Sequence, residues 1–286
     1  MIEAKVIKDS VSEYDGTRIT TLQLKFHRFI LPEFNTHRVF SRNFSSSRAI
    51  PTNKLLEQVL TDPAMPVFWG KNQAGMQAEE ELDPLTKRSA KASWIESAKD
   101  AASRAAIMAQ MGVHKQIVNR VIEPYLWATG IVTSTEWDNW DSLRRHKDAQ
   151  PEIQELAVQI HRAISDSNPE FLRRGQWHLP YINSEEVYNI LDINLLKKIS
   201  AARCCRVSYL KHDGTSPNIE EDLTLFNRLA GSVPLHASPL EHQATPDEYH
   251  YTDGGYTRMG YKHPHLHGNF KGWIQHRKQW EKEFQT

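Results

Sequence analysis

The stretch from Asn35 to Ile50, NTHRVFSRNFSSSRAI, gathers three arginines (Arg38, Arg42, Arg48), one histidine (His37) and four serines (Ser41, Ser45, Ser46, Ser47) with neither helical nor strand periodicity. Arginine offers phosphate oxygens a planar fork. Serine hydroxyls and free backbone N–H groups add neutral donors, so such a loop can hold anions without a metal. The alternative is a polar surface loop whose charges are merely solvated. Its approach favours an anchored loop, because Leu22, Leu24, Phe26, Phe29 and Ile30 run straight into it.

Other clusters bear on chemistry. Arg144-Arg145-His146-Lys147, taken by itself, is a basic helix end that complements the helix dipole. His263, His265 and His267 alternate, as ligands on one strand face would, yet no neighbouring Cys or carboxylate in the sequence completes a set; no metal is expected. Cys204 and Cys205, between Arg203 and Arg206, are either an activated thiolate or part of a buried helix face, and the buried face is the expectation. The tail GNFKGWIQHRKQWEKEF sets Gln275 to Lys278 between Trp273 and Trp280, and reads as a solvated amphipathic helix or, alternatively, a cover for a nucleotide. Gly254-Gly255 lacks the spacing of a dinucleotide fingerprint.

The elements that must position these groups follow from periodicity. Residues 2 to 30 alternate as two strands about a turn at Tyr14-Asp15-Gly16. Helices are predicted at Asn53 to Leu60, Leu85 to Met111, His114 to Ile122 and after Pro151. YLWATGIVTSTEW is a strand or a buried helical turn, and WDNWDSLRRHK a polar helix end. FLRRGQWHLPYI reads as irregular; a helix runs through Leu195 to Ala202, and another from Asn218 to Leu229 with Asn218 as N-cap. Residues 243 to 268 read as a mobile loop. No compositional break divides the chain, so one domain over 1–286 is expected, with the anion loop and the helices after it in 1–165 and the C-terminal helices and loop in 166–286.

The spacing His37-Arg38-x-x-Ser41-x-Asn43-x-x-Ser46-x-Arg48 resembles the signature of the flavin-dependent thymidylate synthases, with Thr36 and Ala49 departing from an arginine and a tyrosine. A second block, Asn139, Leu143, Arg144, Ala149, Gln150 and Glu152, stands at that family's spacing, with Asp148 where a histidine is usual. Two further segments, SAARCCRVSY and PLHASPLEH, resemble segments that ordinarily precede the anion loop, so the order here is rearranged, approximately permuted. The resemblance implies an α+β fold with an antiparallel sheet core flanked by helices. It also implies transfer of a methylene from methylenetetrahydrofolate to C5 of dUMP, reduction by FAD and oxidation of NADPH, giving dTMP, in a homotetramer with shared sites. In that reading Arg144, Ser46 and His236 are catalytic. His37, Arg38, Asn43, Arg48, Ser208, Ser238, Glu241 and Asn139 hold cofactor; Arg120, Arg144, Ser46, Arg48 and Gln150 hold substrate. A sister reaction, hydroxymethylation of dUMP or modification of another pyrimidine, and a non-catalytic nucleotide-binding homologue remain alternatives.

Composition fits an ordinary globular chain: 286 residues, 39% hydrophobic, with 35 basic and 35 acidic residues. That balance gives no global field for coating nucleic acid, so phosphate binding must be local. No run approaches a membrane span, MIEAKVIKDS has no apolar signal core, and adjacent cysteines suit no structural disulfide. A cytoplasmic location is expected.

Overall fold

The computed structural model describes residues 1–207, 215–216, 218–230, 236–250 and 260–284. β1 (Glu3–Ser12) and β2 (Arg18–His27) form the expected hairpin. A 3-10 turn and α1 (Leu31–Phe34) lead into the Arg/Ser loop, whose centre is β3 (Ser41–Phe44). Then come α2 (Thr52–Thr61), α3 (Pro84–Gln110), α4 (Lys115–Val118), β4 (Trp127–Ser134), α5 (Asp138–Arg144), α6 (Pro151–Ser165) and β5 (Glu170–Leu172). The last third holds α7 (Ser184–Asn189), α8 (Ile193–Arg206), α9 (Ile219–Ala230), β6 (Ala244–Pro246), β7 (Tyr249–His250), β8 (Gly260–Tyr261), β9 (Trp273–Gln275) and α10 (His276–Phe284).

The main sheet runs β3-β4-β2-β1-β5, antiparallel except for the β1/β5 pair. Helices flank it, so the architecture is α+β. Strand alternation sorts side chains between two covered faces. Leu22, Leu24, Phe26, Ala128 and Val132 pack with Trp140, Ile153, Leu156 and Ile160 of α5 and α6. Facing the other way, Ile19 meets Trp273 and Ala244, and Ile131 meets Tyr181 and Cys204. The C-terminal third therefore covers the second face. At the β3/β4 junction Gly130 is obligatory: a Cβ there would lie 2.0 Å from the Phe44 ring, which crosses the strand at that point.

Several expectations change. The helix expected at 114 to 122 is one turn long, because Asn119 is buried and spends its amide on the carbonyls of Ser47 and Ile50. The ambiguous segment before Trp137 is strand β4, and the irregular 170s contribute β5. Within the expected mobile loop, Gln243 to Asp247 is buried and contains β6; residues 251–259 of that loop lie outside the described residues. Nor does the tail begin as a solvated helix. Trp273 to His276 is buried, and the Trp273 indole donates to the Thr17 carbonyl at 3.2 Å.

Candidate active site

The loop is held at three places. At its start, Phe34 and Phe40 pack on Trp140, which pins the backbone between them to α5. His37 is therefore buried, and Nε of Arg144 donates to its Nε2 at 2.9 Å. That bond requires a bare Nε2. Burial first, then the Arg144 and Arg42 charges, hold the imidazole below its ordinary pKa. The Arg144 guanidinium also pairs with Glu33, while its Nη2 has no partner among the described residues. Arg144 closes α5, so it also answers the helix dipole.

Arg42 is a staple. Its N–H groups go to the Asn35 side chain and carbonyl and to the carbonyls of His37 and Phe40. This corrects the expectation of three anion-binding arginines. Arg38 and Arg48 are exposed and make no ion pair or side-chain hydrogen bond among the described residues, so two guanidinium forks remain open.

The second anchor is polar. Ser47 donates to Glu123 at 2.7 Å, Arg28 and Arg120 pair with the same carboxylate, and Lys115 reaches the Ala49 carbonyl. Burial raises the Glu123 pKa, but the Ser47 and Arg120 bonds and the two arginine charges outweigh it and hold the group below the usual range. Arg120 thus sits beside the Ser46 to Arg48 turn with its charge already shared.

The third anchor brings in the C-terminal blocks. The Asn43 amide donates to the carbonyls of Cys204 at 3.0 Å and Cys205 at 3.3 Å, and the Ser238 hydroxyl lies 3.5 Å from Asn43 Oδ1. α8 ends there, at Val207 in a left-handed conformation whose N–H also donates to the Cys204 carbonyl at 3.1 Å, so Asn43 adds a side-chain partner to the last carbonyls of the helix. A buried network fixes that helix end. Arg203 bonds Asp222, Glu186 and the Tyr181 carbonyl, and Arg206 also pairs with Asp222. Gln275 joins Ser41 to the Glu241 carbonyl, and the Glu241 carboxylate pairs with Arg277.

Not every candidate converges. Ser208 lies outside the described residues. His236 is exposed, just beyond α9, and Asn139 is exposed on α5. Gln150 caps α6 by accepting the Ile153 N–H at 3.1 Å and donates to the buried Glu152. A cavity of about 1100 Å³ lies beside it, lined also by Phe68, Trp94 and Glu155 but by none of Arg38, Arg48 and Arg144. Cys204 is fully buried, and burial pushes its thiol up, which opposes a thiolate. Sequence inspection finds no carboxylate near the alternating histidines; folding supplies Asp247, at 2.9 Å from both His263 and His267. Among the described residues no group of three or more ligating side chains has metal-site geometry.

Glu33 and Arg28 were not singled out from sequence. Only the Arg120/Glu123 spacing of three carried a local signal.

No model of a known protein family matches the sequence, and no curated protein does. Among solved structures, the chain is similar to the UMP/dUMP methylase PolB from Streptomyces cacaoi bound with 5-Br dUMP, at 13% identity and a TM-score of 0.47 over 58% of this chain and 90% of that one. The same protein bound with 5-Br UMP gives 13% and 0.47 over 58% and 89%. The flavin dependent thymidylate synthase ThyX from Helicobacter pylori, complexed with FAD and dUMP, gives 15% identity and a TM-score of 0.36 over 51% and 67%.

Proposed function

We propose that this chain is a flavin-dependent enzyme that methylates C5 of a pyrimidine nucleotide, with dUMP as acceptor and dTMP as product. One observation carries the reading: three sequence blocks, far apart in the chain and in rearranged order, meet through Arg144 on His37 and through Asn43 on Cys204, Cys205 and Ser238. The rearranged order is an approximate permutation of the family fold.

The residues suit the roles. Arg38 and Arg48 are open forks for the phosphates of flavin or nucleotide, with Ser46 a neutral donor between them. Arg144 offers Nη2 to a uracil carbonyl while Glu33 and His37 hold the guanidinium in place. A positive charge there stabilises the negative charge that builds as C5 becomes a nucleophile. Asn43, Ser238 and Glu241 shape the wall that the C-terminal segment contributes, and the exposed His236 at its edge is the group assigned to the flavin and pterin. Asn139 and Gln150 complete the ligand contacts, Arg120 steadies the nucleotide end, and Ser208 is assigned to cofactor. Two open guanidinium forks on one loop fit an FAD pyrophosphate; when bound, the flavin supplies the reducing hydride, recharged by NADPH, and methylenetetrahydrofolate supplies the carbon.

We infer a homotetramer with shared sites and a cytoplasmic location. No helix among the described residues is long and apolar enough to cross a membrane. The test is product analysis with FAD, NADPH, methylenetetrahydrofolate and dUMP. A hydroxymethylated nucleotide would replace methylation with the sister reaction, and flavin-free protein that binds nucleotide without turnover would remove catalysis.

A further inference from the structure

Five polar side chains lie fully buried on the sheet face that the C-terminal third covers. Ser10, Thr21, Thr133, His178 and His242 are each 0% exposed. They form one unbroken chain. Ser10 Oγ is 2.9 Å from His178 Nδ1, and His178 Nε2 is 2.8 Å from Thr21 Oγ1. Thr21 Oγ1 is 2.7 Å from Thr133 Oγ1, which is 2.9 Å from His242 Nδ1. At the outer end Ser10 reaches Glu170, whose half-exposed carboxylate pairs with Lys8. At the inner end His242 Nε2 is buried with no partner. That end belongs to the segment that carries Ser238 and Glu241, and Thr133 pairs in register with Ser41 of the loop.

We propose that this chain is a proton relay between solvent at Glu170 and the buried His242, which follows Glu241 in the C-terminal wall of the candidate active site. With every bond made, each hydroxyl donates once, so only two orders exist. In one, both imidazoles carry their proton on Nδ1, the bonds run from His242 towards Ser10, and Ser10 donates to Glu170. In the other, both carry it on Nε2 and every bond is reversed. A proton arriving at His242 Nε2 converts the first order into the second. His242 gives its Nδ1 proton to Thr133, Thr133 gives its own to Thr21, Thr21 to His178 Nε2, His178 Nδ1 to Ser10, and Ser10 to Glu170. Glu170 then releases it to water, and neither imidazole keeps a charge. Burial holds both rings neutral: His178 lies well below its ordinary pKa, with Lys8 and His242 adding to the effect, and His242 is pushed down to about 3. A neutral, two-way chain is what such transfer requires. The need for it rests on the methylation reading, in which the C5 proton of the base is replaced by carbon and must leave a covered site.

Histidine ¹⁵N NMR on the full-length protein tests the relay without any turnover. Signals from His178 and His242 are expected to report the same tautomer and no imidazolium between pH 6 and 8. Thr133→Val is expected to shift the ring signals of both, and Thr133→Ser to restore them. Opposite tautomers in the wild type, or His178 signals unmoved by Thr133→Val in a folded protein, would overturn the relay. If tautomers are coupled but no C5 chemistry occurs, the relay stands and the methylation reading fails. If C5 chemistry occurs at a rate unaltered by Thr133→Val, the transfer role fails alone.

Discussion

Arg144 and His37 are joined by one hydrogen bond of 2.9 Å, and it ties the end of α5 to the start of the Arg/Ser loop across 107 residues of chain. The bond fixes which imidazole nitrogen is bare and aims the remaining guanidinium edge away from Glu33. Arg144→Ala is expected to remove nearly all turnover while flavin stays bound. Removing a charge that acts on a developing anion costs about 10²–10³ in rate. Visible flavin absorbance with activity within twofold of the parent would refute the assignment.

Arg38 and Arg48 carry the opposite signature, since no group among the described residues occupies them. Arg38→Ala and Arg48→Ala should each change stability by no more than about 0.5 kcal/mol. Each should weaken binding of FAD or nucleotide roughly tenfold or more, the worth of a charge-assisted hydrogen bond. Calorimetric titration separates these outcomes; unchanged affinity for both ligands in both variants would show that the loop binds neither.

The network at the end of α8 is an energetic hinge for the site, because the carbonyls that hold Asn43 depend on it. Asp222 is fully buried against Arg203 and Arg206. Its truncation leaves two arginines without their shared counter-charge. Asp222→Ala should therefore cost about 3–5 kcal/mol in a urea melt. A cost under about 1 kcal/mol would show that those arginines find solvent or other partners.

Acid stability should report the buried histidines. His242 and His276 are held down to about 3 and His178 well below its ordinary value, each chiefly by burial. A folded-state pKa below the unfolded one means that the unfolded chain binds the extra proton. The three rings thus cost nothing above about pH 6.5 and destabilise the fold progressively below it. At pH 5 the loss is on the order of 1–2 kcal/mol per ring. Denaturant midpoints at pH 7.5 and pH 5 measure it. Replacing His276 by Phe, next to Trp177 and Trp280, should flatten part of the slope. An unchanged slope would mean that His276 is solvated.

Neither cysteine is expected to act as a nucleophile. The double change Cys204→Ser and Cys205→Ser should retain activity, with a modest loss of stability from the buried position. Complete loss of turnover in a folded double variant would restore the thiolate alternative.

Much of this architecture was legible because it is local. The β1/β2 hairpin, α2, α3, α6 and α9 follow from periodicity and caps, down to the reciprocal Asn218/Glu221 bonds that open α9. The motif resemblance likewise pointed to His37, Asn43 and Arg144, each of which the fold bonds to a distant segment. What was not legible depends on distant chain. The one-turn α4 comes from Asn119 serving the loop, the conversion of Arg42 from ligand to staple comes from four oxygens that only the folded loop presents, and Asp247 meets His263 and His267 from 16 and 20 residues away in the chain. The buried tail was missed for the same reason. Trp273 and Gln275 look amphipathic in sequence, but the open second face of the sheet claims them.

The central claim is C5 methylation, and the most direct measurement is anaerobic single-turnover product analysis by mass spectrometry with FAD, NADPH, methylenetetrahydrofolate and dUMP. The account predicts reductant-dependent conversion of dUMP to dTMP. Folded, flavin-loaded protein that leaves dUMP unchanged would contradict it.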